Sequence, residues 1–158
     1  MLDPGSLTRR LQQVCSRFRV QVYRQGWARP MLDEAHALGL RAGERAWVRE
    51  VHLFCDEQPC VFARTIIPRT TLQGKYRRLT RLGNRSLGAV LFADKTLRRS
   101  DLDIAVIGER QALFTPATVL SSVKPAKIWG RRSLFHLSNR PLLLSEIFLH
   151  DMSGYLSC

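Results

Sequence analysis

The sequence lacks any uninterrupted apolar run near the ~18 residues that a membrane-spanning helix needs. Its N-terminus, MLDPGSLTRR, puts an acid and a helix start where a signal peptide requires an apolar stretch. These absences predict a cytosolic protein. The patterns G-x-x-x-x-G-K-[ST], G-x-G-x-x-G and G-x-S-x-G are also missing, which removes the usual warrant for nucleotide-cradle and serine-hydrolase chemistry. Cysteine is scarce: Cys15, Cys55, Cys60 and Cys158 show no C-x-x-C spacing, and His36, His52, His136 and His150 fall outside H-E-x-x-H and zinc-finger intervals. Buried or surface thiols are expected, with no disulfide framework and no metal site.

Acids are few, 13 against 25 cations, and lysines fewer still. Only Lys75, Lys95, Lys124 and Lys127 are present, so 21 of the cations are Arg and the net charge is +12. Arginine is the residue suited to forked contact with carboxylate or phosphate, so the partner class is anionic. The charge forms no detachable tail: residues 1–50 carry +4, 51–105 carry +5 and 106–158 carry +3. With 45% hydrophobic residues the chain is not of disordered composition. Its 158 residues suit one domain, 1–158, able to bury about 70% of its unfolded surface.

Along the chain, Leu7, Leu11, Val14 and Phe18 make one apolar stripe and predict a helix from a Ser6 cap to about Phe18. A strand is expected over 19–25, broken at Gly26 and Pro30, followed by a helix or loop to Gly43. Extended runs at 47–54 and 60–67, around the turn-rich 55–59, predict a β-hairpin. Short helices are expected over 70–82 and 86–92, parted by Gly83-Asn84. Leu102, Ile104 and Val106 mark a further strand, and runs at 132–137 and 142–149 a second hairpin around 138–141. The connection 108–127 resists assignment. Helices segregated from hairpin-linked strands predict an α+β fold on one antiparallel sheet.

Three charges break the period-2 rule that one face of a strand is apolar. Arg49 shares its face with Trp47, Val51 and Leu53; Arg64 lies between Phe62 and Ile66; Glu146 shares a face with Leu142, Leu144 and Phe148. Unpaired, each would cost several kcal/mol, so each needs a partner or a ligand. One reading is a structural ion pair between Glu146 and an Arg, or solvation at a strand end. The other is an internal cavity with two guanidinium groups and one carboxylate, suited to a small dianion bearing a hydroxyl. A third possibility follows from Lys75, Arg77, Arg78, Arg81 and Arg85, where 77, 81 and 85 would line one helical face as a nucleic-acid contact. Only Tyr76 interleaves them, without the aromatic pattern of a stacking platform.

The stretches Gly-Ser-Leu-Thr-Arg-Arg-Leu at 5–11, Trp-Val-Arg-Glu-Val at 47–51, Ala-Arg-Thr-Ile-Ile-Pro at 63–68, Leu-Gly-Asn-Arg-Ser-Leu-Gly at 82–88, Trp-Gly-Arg-Arg-Ser at 129–133 and Pro-Leu-Leu-Leu-Ser-Glu-Ile-Phe-Leu at 141–149 resemble the chorismate pyruvate-lyase (4-hydroxybenzoate synthase) family. The resemblance spans most of the chain in order. It implies a single curved antiparallel sheet with helices and flap-like segments over an internal ligand site, no metal and no cofactor, and a monomer. It implies release of pyruvate from chorismate to leave 4-hydroxybenzoate for ubiquinone biosynthesis. Carried over by position, Arg49 and Glu146 are the ligand-binding charges, Leu7 and Leu87 the flap-associated contacts, and Arg64 the motif Arg of the second hairpin strand. On this basis Arg49 is expected to anchor the ring carboxylate, Glu146 to orient the hydroxyl and Arg64 to serve the enolpyruvyl carboxylate, with Arg131 or Arg132 nearby. The chain starts close to the first motif, so a usual N-terminal segment of the family is expected to be missing. The same fold family includes ligand-binding modules of bacterial transcription regulators, so a sensor using the same charges is the competing reading.

Overall fold

The computed structural model describes residues 7–121 and 127–149. Among them six strands, β1 (Phe18–Ala28), β2 (Ala46–Cys55), β3 (Gln58–Pro68), β4 (Arg98–Gly108), β5 (Lys127–Leu137) and β6 (Arg140–Phe148), form one antiparallel sheet in the order β1-β2-β3-β6-β5-β4. Helices α1 (Leu7–Val14), α2 (Leu32–Leu38), α3 (Leu87–Ala93) and α4 (Phe114–Thr118), with a 3-10 helix over Gly74–Arg81, pack on it. The α+β class and the antiparallel sheet are as expected.

Both expected hairpins form, with tighter turns than the sequence suggested. Asp56 and Glu57 (φ 50 and 74) close one, and Ser138 and Asn139 (φ 48 and 65) the other. Positive φ at both central residues gives the turn the twist of its flanking strands. β1 does not stop at Gly26: that residue pairs with Val48 at φ 154, where its missing Cβ removes the penalty, and the strand runs on to Ala28. The stripe read as one helix to Phe18 ends at Val14, and Phe18 starts β1 opposite Cys55. The unassigned connection contains α4; the proposed Ser6 cap lies outside the described residues.

Apolar layers cover both faces of the sheet. On one, α1, the 3-10 helix and α3 bring Leu7, Leu11, Leu79, Leu87 and Leu91 against Val51, Leu53, Ala63, Leu144 and Phe135. On the other, α4 brings Phe114 and Ala117 against Phe62 and Ile147, while Leu38 of α2 meets Val48, Ile66 and Leu143. Register shifts leave Tyr23, Cys60 and Ser100 as extra residues in β1, β3 and β4, local bulges that bend a strand and increase its twist.

The expectation of free thiols is corrected at two positions. Cys15, just past α1, is disulfide-bonded to Cys55 at the end of β2, with Cα atoms 5.4 Å apart and the two residues 40 positions apart in sequence. The pairing joins the residue after α1 to the end of β2, a tertiary contact that no local spacing announces. Cys60 is a free thiol, and burial pushes it up to about 11. Cys158 lies outside the described residues.

Candidate active site

Alternation along β2 points Arg49, Val51 and Leu53 to the face covered by α1 and α3, and alternation along β6 sends Leu144 and Glu146 to the same face. Together they floor a cavity enclosing about 520 Å³, part of it open to solvent. Leu7 and Thr8 of α1 and Ser86, Leu87 and Gly88 at the start of α3 supply its cover. The Ser86 hydroxyl accepts from the Ala89 N–H at 3.3 Å, which fixes where α3 begins and so where Leu87 sits. Four expected residues, Arg49, Glu146, Leu7 and Leu87, are therefore brought to one place.

Arg49 is 2% exposed. Its guanidinium donates to the carbonyl oxygens of Gly83 (2.9 Å) and Arg85 (2.8 Å), clamping the turn between the 3-10 helix and α3. Gly83 holds that turn at φ 60, a conformation suited to glycine. Burial pushes the Arg49 guanidinium down to about 10, so it remains a cation at neutral pH. Glu146 accepts from Arg131 Nε at 2.7 Å; the two residues face each other across β5 and β6. Both also line the cavity, so the expected ion pair and the expected cavity are the same feature.

Arg64 is not in the cavity. It pairs in register with Glu50, whereas its neighbours Ala63 and Thr65 are the ones that line the site. Its side chain projects through the opposite face and donates to both carboxylate oxygens of Glu34 on α2 (2.8 and 2.9 Å) and to Glu50 (2.9 Å). The role expected for Arg64 at the enolpyruvyl carboxylate is thus corrected: it anchors α2. Alternation identified the buried charge but not its side of the sheet, because both faces are covered.

Two cavity cations were not singled out as site residues. Arg131 was expected only as an alternative to Arg132, and alternation separates them: Arg132 faces the other way, to Asp33 (2.9 Å) and Asp103 (3.5 Å). A Cβ at Gly130 before them would meet Ile147 Cδ1 at 2.7 Å and the Glu146 carbonyl oxygen at 3.2 Å, so a side chain there would force Ile147 to shift. Arg99 reaches the cavity from β4, its guanidinium 4.8 Å from the Phe135 ring centroid, just before the Ser100 bulge. No sequence pattern marks it. Among the described residues the cavity thus has three arginines against one carboxylate, a net +2.

The basic stripe at 77, 81 and 85 does not form. Residues 74–81 are a 3-10 helix, in which positions four apart lie about 120° from one another, and Arg85 lies beyond its end with its side chain folded onto the Leu82 and Arg81 carbonyls. Among the described residues no cluster of His, Cys, Asp and Glu has the makings of a metal site, and no helix is long and apolar enough to cross a membrane.

A family model described as chorismate lyase matches residues 1–154. Relatives named "Probable chorismate pyruvate-lyase" include one from Methylococcus capsulatus, 47% identical over 150 residues covering 94% of this chain and 91% of that one. Another, from Aromatoleum aromaticum, is 47% identical over 151 residues, covering 94% and 82%. Among solved structures, the effector domain of PhnF from Mycobacterium smegmatis aligns with a TM-score of 0.65 at 15% identity, covering 95% of this chain and 91% of that one. A PhnF C-terminal domain aligns with a TM-score of 0.68 at 18% identity, covering 96% and 94%. At such identities these structures establish a shared fold only.

Proposed function

This chain belongs to the chorismate lyase family, and we propose on that premise that it releases pyruvate from chorismate and leaves 4-hydroxybenzoate. The observation that carries the reading is the cavity itself: among the described residues its lining bears a net +2 charge with one carboxylate acceptor, Glu146, which matches a dianion bearing one hydroxyl. Arg49 anchors the ring carboxylate, exchanging part of its hold on the Gly83 and Arg85 carbonyls for the ligand. Glu146 accepts from the 4-hydroxyl, and Arg99 serves the enolpyruvyl carboxylate in place of Arg64. Leu7 and Leu87 close apolar surface over the ring.

The reaction breaks the C3–O ether bond and the C4–H bond, delivers that hydrogen to the enolpyruvyl methylene, and leaves an aromatic ring beside pyruvate. Aromatisation makes the chemistry downhill. The protein's contribution is then to hold a reactive conformer and to stabilise charge on the departing enolpyruvyl oxygen, for which buried guanidinium groups are suited. Transfer of the hydrogen within the substrate would require no side-chain base. The product would feed ubiquinone biosynthesis, as the family resemblance implies.

A binding-only sensor on the same fold would retain chorismate unchanged. Incubating the purified chain with chorismate and quantifying products separates the two: equimolar pyruvate and 4-hydroxybenzoate are expected, and binding without either product would contradict the proposal.

A further inference from the structure

We propose that Arg131 is a positioning residue that makes Glu146 the selector for a ligand hydroxyl; this deepens the reading of Glu146 given above and rests on it. Arg131 is 2% exposed and Glu146 6%, they stand directly opposite on neighbouring strands, and Nε of one lies 2.7 Å from Oε1 of the other. A buried ion pair is a poor stabiliser, since apolar residues of similar volume commonly serve a core as well or better. Stability alone therefore does not account for this pair, whereas its position on the cavity wall does.

Two physical consequences follow from the contact. A carboxylate only accepts hydrogen bonds, so Glu146, its orientation fixed by the Arg131 guanidinium, favours a ligand with an O–H donor at that point over one with a bare C–H. Arg131 also offsets the repulsion that Glu146 would otherwise exert on an entering dianion. Orientation is fixed as well: Gly130 and Arg132 face the opposite side of the sheet, so within this motif only Arg131 can supply the contact.

The test is equilibrium binding, by calorimetry, of 4-hydroxybenzoate and of benzoate, which differ only in the hydroxyl. The wild-type chain should prefer 4-hydroxybenzoate by roughly ten- to a hundredfold, the range of a hydrogen bond to a charged group. In Arg131→Met the preference should collapse to within about twofold of unity, and in Arg131→Lys, which restores a charge without the fork, it should be intermediate. The ratio is the readout because loss of a cation weakens both monoanions alike, as would a merely structural defect. A folded Arg131→Met that keeps the wild-type ratio overturns the proposal; should that variant not fold, an unchanged ratio in Arg131→Lys does so. Absence of any hydroxyl preference in the wild type, or its persistence in Glu146→Gln, would instead overturn the role given to Glu146 and the inference with it.

Discussion

Arg49 and Arg64 sit on adjacent strands of one hairpin, yet project through opposite faces of the sheet: Arg49 pairs with Thr65 and points into the cavity, while Arg64 pairs with Glu50 and points away from it. The consequence is a separation of stability from binding. Arg64→Met strips Glu34 and Glu50 of a buried partner and should cost about 3–5 kcal/mol of stability in denaturant unfolding. At temperatures where the variant remains folded, its affinity for 4-hydroxybenzoate should stay within about threefold of wild type. A binding loss without a stability loss would restore Arg64 to the site.

Arg49 carries a double load, because the guanidinium read as the carboxylate anchor also ties down the Gly83–Arg85 turn. Arg49→Ala should lower kcat/KM for chorismate by at least about a hundredfold, as expected for the loss of more than one charged hydrogen bond. Arg49→Lys, keeping the charge without the fork, should recover little of it. Limited proteolysis should show faster cleavage within 82–86 in both variants. Full turnover in Arg49→Ala would remove the residue from the anchor role.

The Cys15–Cys55 bond closes a long loop and ties the helix bearing Leu7 to the strand bearing Arg49. Constraint of the unfolded chain by a loop of this size is worth about 4 kcal/mol in the loop-entropy model, or roughly 10 °C in Tm. Dithiothreitol should lower the melting temperature by that order, and Cys15→Ser/Cys55→Ser should melt at the reduced value with or without reductant. Equal melting of the untreated and reduced wild type would show that the bond contributes nothing.

Acid should loosen the hold of the 3-10 helix on the β5–β6 turn through Asp94. Thr96, through its hydroxyl and its backbone N–H, and then Tyr76 and Lys75 hold the Asp94 carboxyl down to about 2, from an ordinary 3.8. Tyr76 also contacts Ser138, so these groups fasten the 3-10 helix to the β5–β6 turn. A depressed carboxyl stabilises the fold above its unfolded pKa and loses that contribution as pH falls through the folded value. The contribution should therefore be whole above about pH 4 and fade toward pH 2. Asp94→Asn should flatten the fall in unfolding free energy across that window, and an unchanged slope would exclude Asp94 as its source.

Much of the candidate site is legible because a charge among apolar residues at period 2 is a local signal. That signal marks Arg49 and Glu146, the family resemblance adds Leu7 and Leu87, and all four line the cavity. Arg64 obeyed the same pattern and was misplaced, since alternation records that a face is buried without recording which layer buries it, and helices cover both faces here. Arg99 and the Cys15–Cys55 pair were illegible for a related reason: each depends on strands and helices meeting from distant parts of the chain. The stripe over 77–85 fails because an α-helical period does not hold where the chain forms a 3-10 helix.

We expect the cavity between Arg49 and Glu146 to hold the aromatic product in one orientation. A crystal structure of the chain with 4-hydroxybenzoate tests it most directly. The ligand carboxylate should lie within hydrogen-bond distance of Arg49 and its hydroxyl on Glu146, with Arg64 still bound to Glu34 and Glu50. A ligand seated on the Arg64 face of the sheet, or reversed within the cavity so that its carboxylate meets Glu146, would contradict it.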